Sequence, residues 1–360
     1  MTRSVTKAAV LTAVLFPLVG AGVAGAQSQA VDEKTGPVSF ANIASVRIGS
    51  EGQKGGALIT ETQRSPLLPG QSKLGTDRVS VPKDDGERAT FGGHYQIDLG
   101  RYSNGNPYPA GVASRDHNVV AALQATTVPT AVAETTYALR DTWQGGAKPV
   151  DDTVLVLEGA KTAVDCTGPV KLTGTSSVTR LWVRQDGGLG IVPMPGGNAG
   201  LELKNLRLGP PGDITNAGKD TTLSDLRLTR VGAFDQLIRQ DGWRGGDYTA
   251  VAGWRVEITT HVKDAAGAAL QDVRTTIVLG GVSCSVPKGF VAKAGGTAGG
   301  TNASQAAVPT QVPAGYLGAA APDTGSDGSR VPLGIGLLFG GVFFGAVALL
   351  LGRRRKSGTD

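Results

Sequence analysis

The 360 residues hold only two cysteines and three histidines. Two thiols and three scattered imidazoles (His94, His117 and His261) cannot furnish an ordinary zinc site. The G-x-S-x-G turn that presents a hydrolase nucleophile is absent, as are H-E-x-x-H, the Walker A loop and the EF-hand loop. No motif therefore asks for a metal or a cofactor. Helical periodicity is missing between the two ends of the chain, apart from one short candidate, "HNVVAALQA" at 117–125. That leaves an all-β architecture, sandwich-like or barrel-like.

Basic excess is also missing where it would matter. The net charge of +5 would suit a nucleic-acid binder. Arg3 and Lys7 supply +2, and Arg353, Arg354, Arg355 and Lys356 with Asp360 supply a net +3. The chain between them is neutral and offers no basic footprint to nucleic acid.

Those terminal charges read as topology signals. Residues 1–26 carry Arg3 and Lys7, an apolar stretch and the small triplet Ala24-Gly25-Ala26. This is the order of a secretory signal peptide, with cleavage expected between Ala26 and Gln27. Residues 331–352 contain no charge and have the length of a transmembrane helix. The basic tail 353–360 follows, which expects the tail in the cytoplasm and the rest of the chain outside.

Between the ends, 27–111 is expected to be an irregular, β-rich N-terminal region. "HYQIDLG" sets Tyr95, Ile97 and Leu99 on one side against Gln96 and Asp98 on the other. Residues 112–290 carry stronger strand signals in "TVLVLEG", "VTRLWVRQ" and "WRVEITTHV". "DVRTTIVL" follows the last of these across a loop, which predicts a hairpin. Cys166 and Cys284 fall in this region, 118 positions apart. An even pair outside the cell predicts a disulfide, worth ~4–5 kcal/mol on the chain-entropy model. Two echoes, "RQDGGLG" with "RQDGWRG" and "LKNLRL" with "LSDLRL", are accounted for by hairpin turns and strand alternation, since no third copy makes a repeat. Residues 291–330 are small, polar and Pro-containing, the composition of a disordered stalk.

Candidate chemistry is sparse. "SRDHN" places Asp116 beside His117, but neighbours on a strand point apart, and a loop or cap role is the plainer account. His261 stands on the polar side of its strand, where an idle histidine is expected. Carboxylates at Asp151, Asp152, Asp213, Asp220, Asp225, Asp235, Asp241 and Asp247 leave open a polysaccharide hydrolase working through a facing pair. Asp186 and Asp241, in D-G turns, are the first places to look for calcium. Trp182 and Trp254 lie in strands and are expected in the core. Trp143 and Trp243 lie in Gly-rich loops, and Trp243 with Arg239 and Arg244 forms the expected contact patch for a glycan or protein ligand.

The pentapeptide Ala321-Pro322-Asp323-Thr324-Gly325 sits between stalk and apolar run. In that position it resembles the cell-wall sorting signal of Gram-positive surface proteins, L-P-x-T-G in its usual form, with Ala321 where Leu is usual. The resemblance implies that a sortase cuts between Thr324 and Gly325 and joins the Thr324 carboxyl to peptidoglycan. The span would then serve only before processing. The region around "AKTAVDCTG" and "VLGGVSCSVP" is similar to the actinobacterial LAETG-anchored proteins, in which a β-rich domain carries one Cys midway and another near its end. Together these features lead us to expect a non-catalytic surface protein, structural, adhesive or ligand-binding, anchored to the wall or as a single-pass membrane protein.

Overall fold

The computed structural model describes residues 29–49, 56–75, 78–83, 87, 93–102, 105–185, 188–196 and 199–293. The leader, the stalk beyond 293, the sorting pentapeptide, the apolar run 331–352, the basic tail and Asp186 lie outside the described residues.

Period-two alternation of apolar side chains builds the core strands, most plainly over Trp254–Val262, while polar strands such as Gly70–Lys73 are held by backbone pairing. The first seven are short: β1 (Val38–Ala41), β2 (Ala44–Ile48), β3 (Ala57–Ile59), β4 (Gln63–Arg64), β5 (Gly70–Lys73), β6 (Ser80–Val81) and β7 (Tyr95–Leu99). Next come β8 (Asn118–Leu123), β9 (Pro129–Asp141), β10 (Thr153–Gly168), β11 (Lys171–Ser177), β12 (Arg180–Gln185) and β13 (Gly188–Val192). The chain continues with β14 (Leu201–Leu206), β15 (Leu223–Arg230), β16 (Tyr248–Lys263) and β17 (Ala269–Val286).

The strands form two antiparallel sheets, as in a sandwich. The first runs β14-β15-β16-β17-β1-β4, with β2 also on β17 and β3 on β2. The second runs β13-β12-β10-β9-β7-β6, with β11 on β10, β8 on β9 and β5 on β8. Strands from 29–111 thus belong to the same two sheets as those from 112–290. The expected hairpin is β16–β17, closed by Asp264, whose carboxylate accepts the N–H groups of Ala266 and Ala268. The two Leu-rich echoes are neighbours: Leu203 of β14 pairs with Leu226 of β15, which is alternation and no solenoid.

One expectation fails. "HNVVAALQA" forms β8, not a helix, because its backbone is hydrogen-bonded between β5 and β9 and its paired valines suit the pleat.

The inward faces close on one another. Val256 and Ile258 of β16 and Ile277 of β17 are almost wholly buried in one cluster with Tyr137 of β9 and Leu155 and Leu157 of β10. Each such aliphatic side chain contributes ~1.5–3 kcal/mol relative to exposure. Trp254 lies in the same core, as expected.

The predicted disulfide joins Cys166 of β10 to Cys284 of β17, one from each sheet, and both residues are fully buried. Their Cα atoms are 5.9 Å apart, whereas stacked sheets ordinarily lie ~10 Å apart. The sandwich is therefore pinched at this end.

A second cross-sheet tie sits where β17 changes partner from β2 to β1. Gly280 there has φ +62°, and its carbonyl accepts from Thr162 Oγ1 at 2.6 Å. Tyr137 Oη donates to the Ile43 carbonyl at 2.9 Å. A Cβ on Gly280 would meet Thr162 Oγ1 at 2.8 Å, so the tie requires glycine.

Candidate functional site

The expected contact patch is built differently from the sequence reading. Trp243 is 6% exposed; its indole stacks on Phe40 at 5.6 Å, and Nε1 donates to Ser283 Oγ at 2.6 Å. It joins Val38, Val231, Leu237, Ile238 and Val278 in a cluster separate from the main core. Val278 alternates with the core residues Ile277 and Leu279, so this cluster covers the outer face of β17 and β1. The Arg239 guanidinium lies over the Phe234 ring at 4.3 Å. Arg244 donates to the carbonyls of Glu33 and Gly36, fastening the N-terminal segment. The correction has a simple cause: the sheet's back is apolar here, and the Gly-rich loop folds over it instead of displaying its tryptophan.

Other candidates also separate. Asp116 pairs with Arg101, and the buried His117 bonds through Nε2 to the Gly75 carbonyl at 2.7 Å, so the two form no dyad. His261 is half-buried, with Nδ1 2.9 Å from Asp272 Oδ1 and Nε2 4.0 Å from Asp225 Oδ2. Trp182, expected in the core, is half-buried on the outer face of the second sheet, where Nε1 donates to Glu158. Asp241 is exposed in its turn. Among the described residues no three His, Cys, Asp or Glu side chains group as metal ligands.

A cleft of about 440 Å³ opens instead where strand ends of the two sheets meet. One wall belongs to the second sheet: Asp141 ending β9, Gln144–Gly146 after it, Asp151 and Asp152, Val154 on β10, and Arg184 and Gln185 ending β12. The other wall is Asn205 and Leu206 of β14 followed by Arg207 and Leu208.

The walls are fixed from below. Asp141 is 5% exposed; its Oδ1 accepts the Trp143 N–H at 2.9 Å and its Oδ2 accepts the Gly209 N–H at 2.7 Å. One carboxyl thus holds the segment behind each wall. The Gly209 carbonyl accepts from Tyr95 Oη at 2.7 Å, and Ser224 Oγ donates to the Leu208 carbonyl. Trp143, in its Gly-rich loop, is 8% exposed and packs against Gly209, where any Cβ would overlap its ring. Arg184 donates to the carbonyls of Val150, Asp151 and Thr153, which fixes its guanidinium in place. Asp151 Oδ2 and Asp152 Oδ1 accept the N–H groups of Lys148 and Gly146.

Electrostatics follow from this burial. Desolvation pushes the Asp141 carboxyl up to about 7, against the two backbone N–H donors that favour its anion. Burial lowers the Arg184 guanidinium from its ordinary value, opposed by Asp151 and Asp152.

Of the carboxylates singled out in sequence, only Asp151 and Asp152 reach this cleft. Asp141 carries no local signal in sequence: beside "TWQGG" it looks like any turn aspartate, and only the fold brings it to the Gly209 N–H. A second depression of about 300 Å³ lies on the first sheet among Glu202, Lys204, Asp225, Arg227, Glu257 and Arg274. Its charges of both signs alternate across strands, with Arg227 and Glu202 3.7 Å apart, the pattern of a solvated face. No family model, curated protein or solved structure matches this chain.

Proposed function

We propose that this is an exported, envelope-anchored surface protein that binds a ligand, without turnover, in the cleft between its sheets. The observation that carries the reading is the cleft's position relative to the chain's exit. Cys284 lies near the end of the last strand, and Lys293 bonds to the Thr126 carbonyl in the β8–β9 turn. That turn stands at the pinched end, since Thr130 pairs with Asp165 next to Cys166. Val154, in the cleft, is twelve residues along β10 from Cys166, or about 40 Å at ~3.3 Å per residue. A tether leaving at Lys293 would therefore hold the pinched end and present the cleft outward. The stalk, sorting pentapeptide and apolar run would supply that tether, the leader would direct export, and a buried disulfide suits an oxidising exterior.

Binding is favoured over hydrolysis by what holds Asp141. Its raised proton affinity would suit a general acid, and Asp151 and Asp152 are close enough to line the same cleft. Yet Asp141 is almost wholly buried, with its two oxygens turned to the backbone N–H groups of Trp143 and Gly209, so its proton is withheld from a glycosidic oxygen in the cleft.

Mass spectrometry of the C-terminus tests the anchoring, on muramidase-released wall and detergent-extracted membrane of the host. The expected result is peptides ending at Thr324 and carrying a wall stem. An intact chain through Arg353, found only in membrane, would overturn wall attachment and leave a membrane tether. Reducing-sugar release from wall and plant polysaccharides, abolished in Asp141→Asn, would overturn the non-catalytic reading.

A further inference from the structure

We propose that the ligand of the cleft is a neutral saccharide of one or two rings, an inference that rests on the ligand-binding reading above. The cleft presents fixed hydrogen-bonding groups of both kinds. Among the described residues, Arg184 Nη1 makes no bond within the chain, and neither do Asp151 Oδ1, Asp152 Oδ2, Gln144 Oε1 or the side-chain amides of Gln185 and Asn205. Free carboxylate oxygens only accept, a guanidinium only donates, and the amides do both.

Ligand classes fall away one at a time. Asp151 and Asp152 face Arg184 and Arg207, the latter also 3.8 Å from Asp220, so no excess of positive charge selects a phosphate polymer, and among the described residues no three carboxylates group to hold a metal cation. Val154 and Leu208 are almost wholly buried, which leaves Leu206 as the aliphatic side chain open to a lipid or a hydrophobic peptide anchor. What satisfies closely spaced donors and acceptors together is a ligand whose own groups do both at short intervals. Vicinal hydroxyls do this: each donates to a carboxylate and accepts from a guanidinium or amide. The volume of about 440 Å³ lies within the ~300–1,000 Å³ of small-molecule sites. It limits the bound portion to a short stretch of chain. The polar groups are held before the ligand arrives, because Arg184 and both aspartates are tied to backbone, so little ordering entropy opposes binding.

The test uses the chain released from its host's wall by muramidase or, if it stays in the membrane, extracted in detergent. Di- to tetrasaccharides of glucose, galactose, mannose and arabinose are titrated by calorimetry, beside galacturonate oligomers, poly(glycerol phosphate) and a Gly/Ala-rich peptide. A neutral saccharide is expected to bind, with Asp152→Asn combined with Gln185→Ala weakening it at least ~10-fold. Both substitutions preserve the fold, since the amide oxygen introduced by Asp152→Asn can still accept the Gly146 N–H and Gln185 is exposed. Arg274→Ala, on the other sheet's outer face, should leave the affinity unchanged. Binding of the uronate, phosphate polymer or peptide, lost in the cleft double variant, would overturn the saccharide assignment while the binding reading stood. Binding of a saccharide unaffected by the double variant would overturn the cleft as its site. If none of the probes binds, the saccharide inference falls and the binding reading falls with it.

Discussion

Replacing Asp141 with Asn should change how stability depends on pH more than it changes stability at any one pH. The folded state holds the Asp141 proton up to about 7, whereas the ordinary value for an unfolded aspartate is 3.8. Between those limits the native state binds more protons than the unfolded state, so stability falls as pH rises. The contribution is complete below pH ~4 and lost above pH ~7. At ~1.36 kcal/mol per pH unit, the interval amounts to about 4 kcal/mol. Asn cannot titrate, and its single carbonyl oxygen can accept only one of the Trp143 and Gly209 N–H bonds. That loss is the same at every pH, so it shifts the variant's curve without tilting it. Urea unfolding of both proteins at pH ~4.5, ~6 and ~7.5, with the disulfide intact, isolates the tilt because all other titrating groups are shared. Wild type should lose ground to the variant steadily across that series. A difference constant with pH would refute the reasoning, since it would mean that the two N–H donors outweigh burial and that Asp141 is an ordinary anion in the fold.

Three further substitutions probe the frame. Cys166→Ala with Cys284→Ala removes a bridge across 118 residues and should cost ~5 kcal/mol, read as a lowered urea midpoint; a loss under ~1 kcal/mol would mean the unfolded chain gains little freedom. Trp243→Ala should cost ~3–5 kcal/mol through the lost Phe40 stack and the cavity left behind, in contrast to the near-neutral effect of an exposed contact residue. Gly280→Ala and Gly242→Ala both place Cβ at a positive φ, but only the former meets Thr162 and Tyr137, since nothing lies within 4 Å of the latter. Both should be destabilised by ~1 kcal/mol or more in thermal melts, with Gly280→Ala clearly the worse; equal losses would show that the cross-sheet tie yields.

The sheets were legible in sequence and the cleft was not, for a physical reason. Alternation in β16 is a local consequence of one face meeting the core, so a few residues suffice to show it, whereas β7 alternates in sequence yet buries its polar Gln96 and Asp98 as well. The fate of "HNVVAALQA" is not local: flanking strands claim its backbone, and only the tertiary fold brings β5 and β9 to either side of it. Trp243 failed the same way, because the Gly-rich turn is visible but the apolar back of β1 and β17 beneath it is not. Cleft residues come from positions 141 to 208 on strands of two sheets, and nothing in "RDTWQGG" announces that its aspartate will reach the Gly209 N–H. The cysteine pair was readable because chemistry alone, two thiols in a chain whose leader predicts export, proposes it without geometry.

Staple and cleft should also prove separable. Cys166 and Cys284 hold the sheets together at one end, while every bond that shapes the cleft lies at the other. Asp141 ties down Trp143 and Gly209, Arg184 grips three carbonyls, and Asp151 and Asp152 bond to backbone within their own loop. About 40 Å of paired strand lies between the two ends. Removing the disulfide acts mainly on the unfolded chain, which regains loop freedom, and leaves native pairing of β10 with β9 and of β17 with β16 intact. The Cys166→Ala, Cys284→Ala protein, kept well below its own midpoint, should therefore bind any cleft ligand within ~2-fold of wild type, measured by the same calorimetry. A loss of ~10-fold or more in a sample that is still folded by circular dichroism would show that the pinch at one end sets the opening at the other, and the two ends would then have to be treated as a single lever.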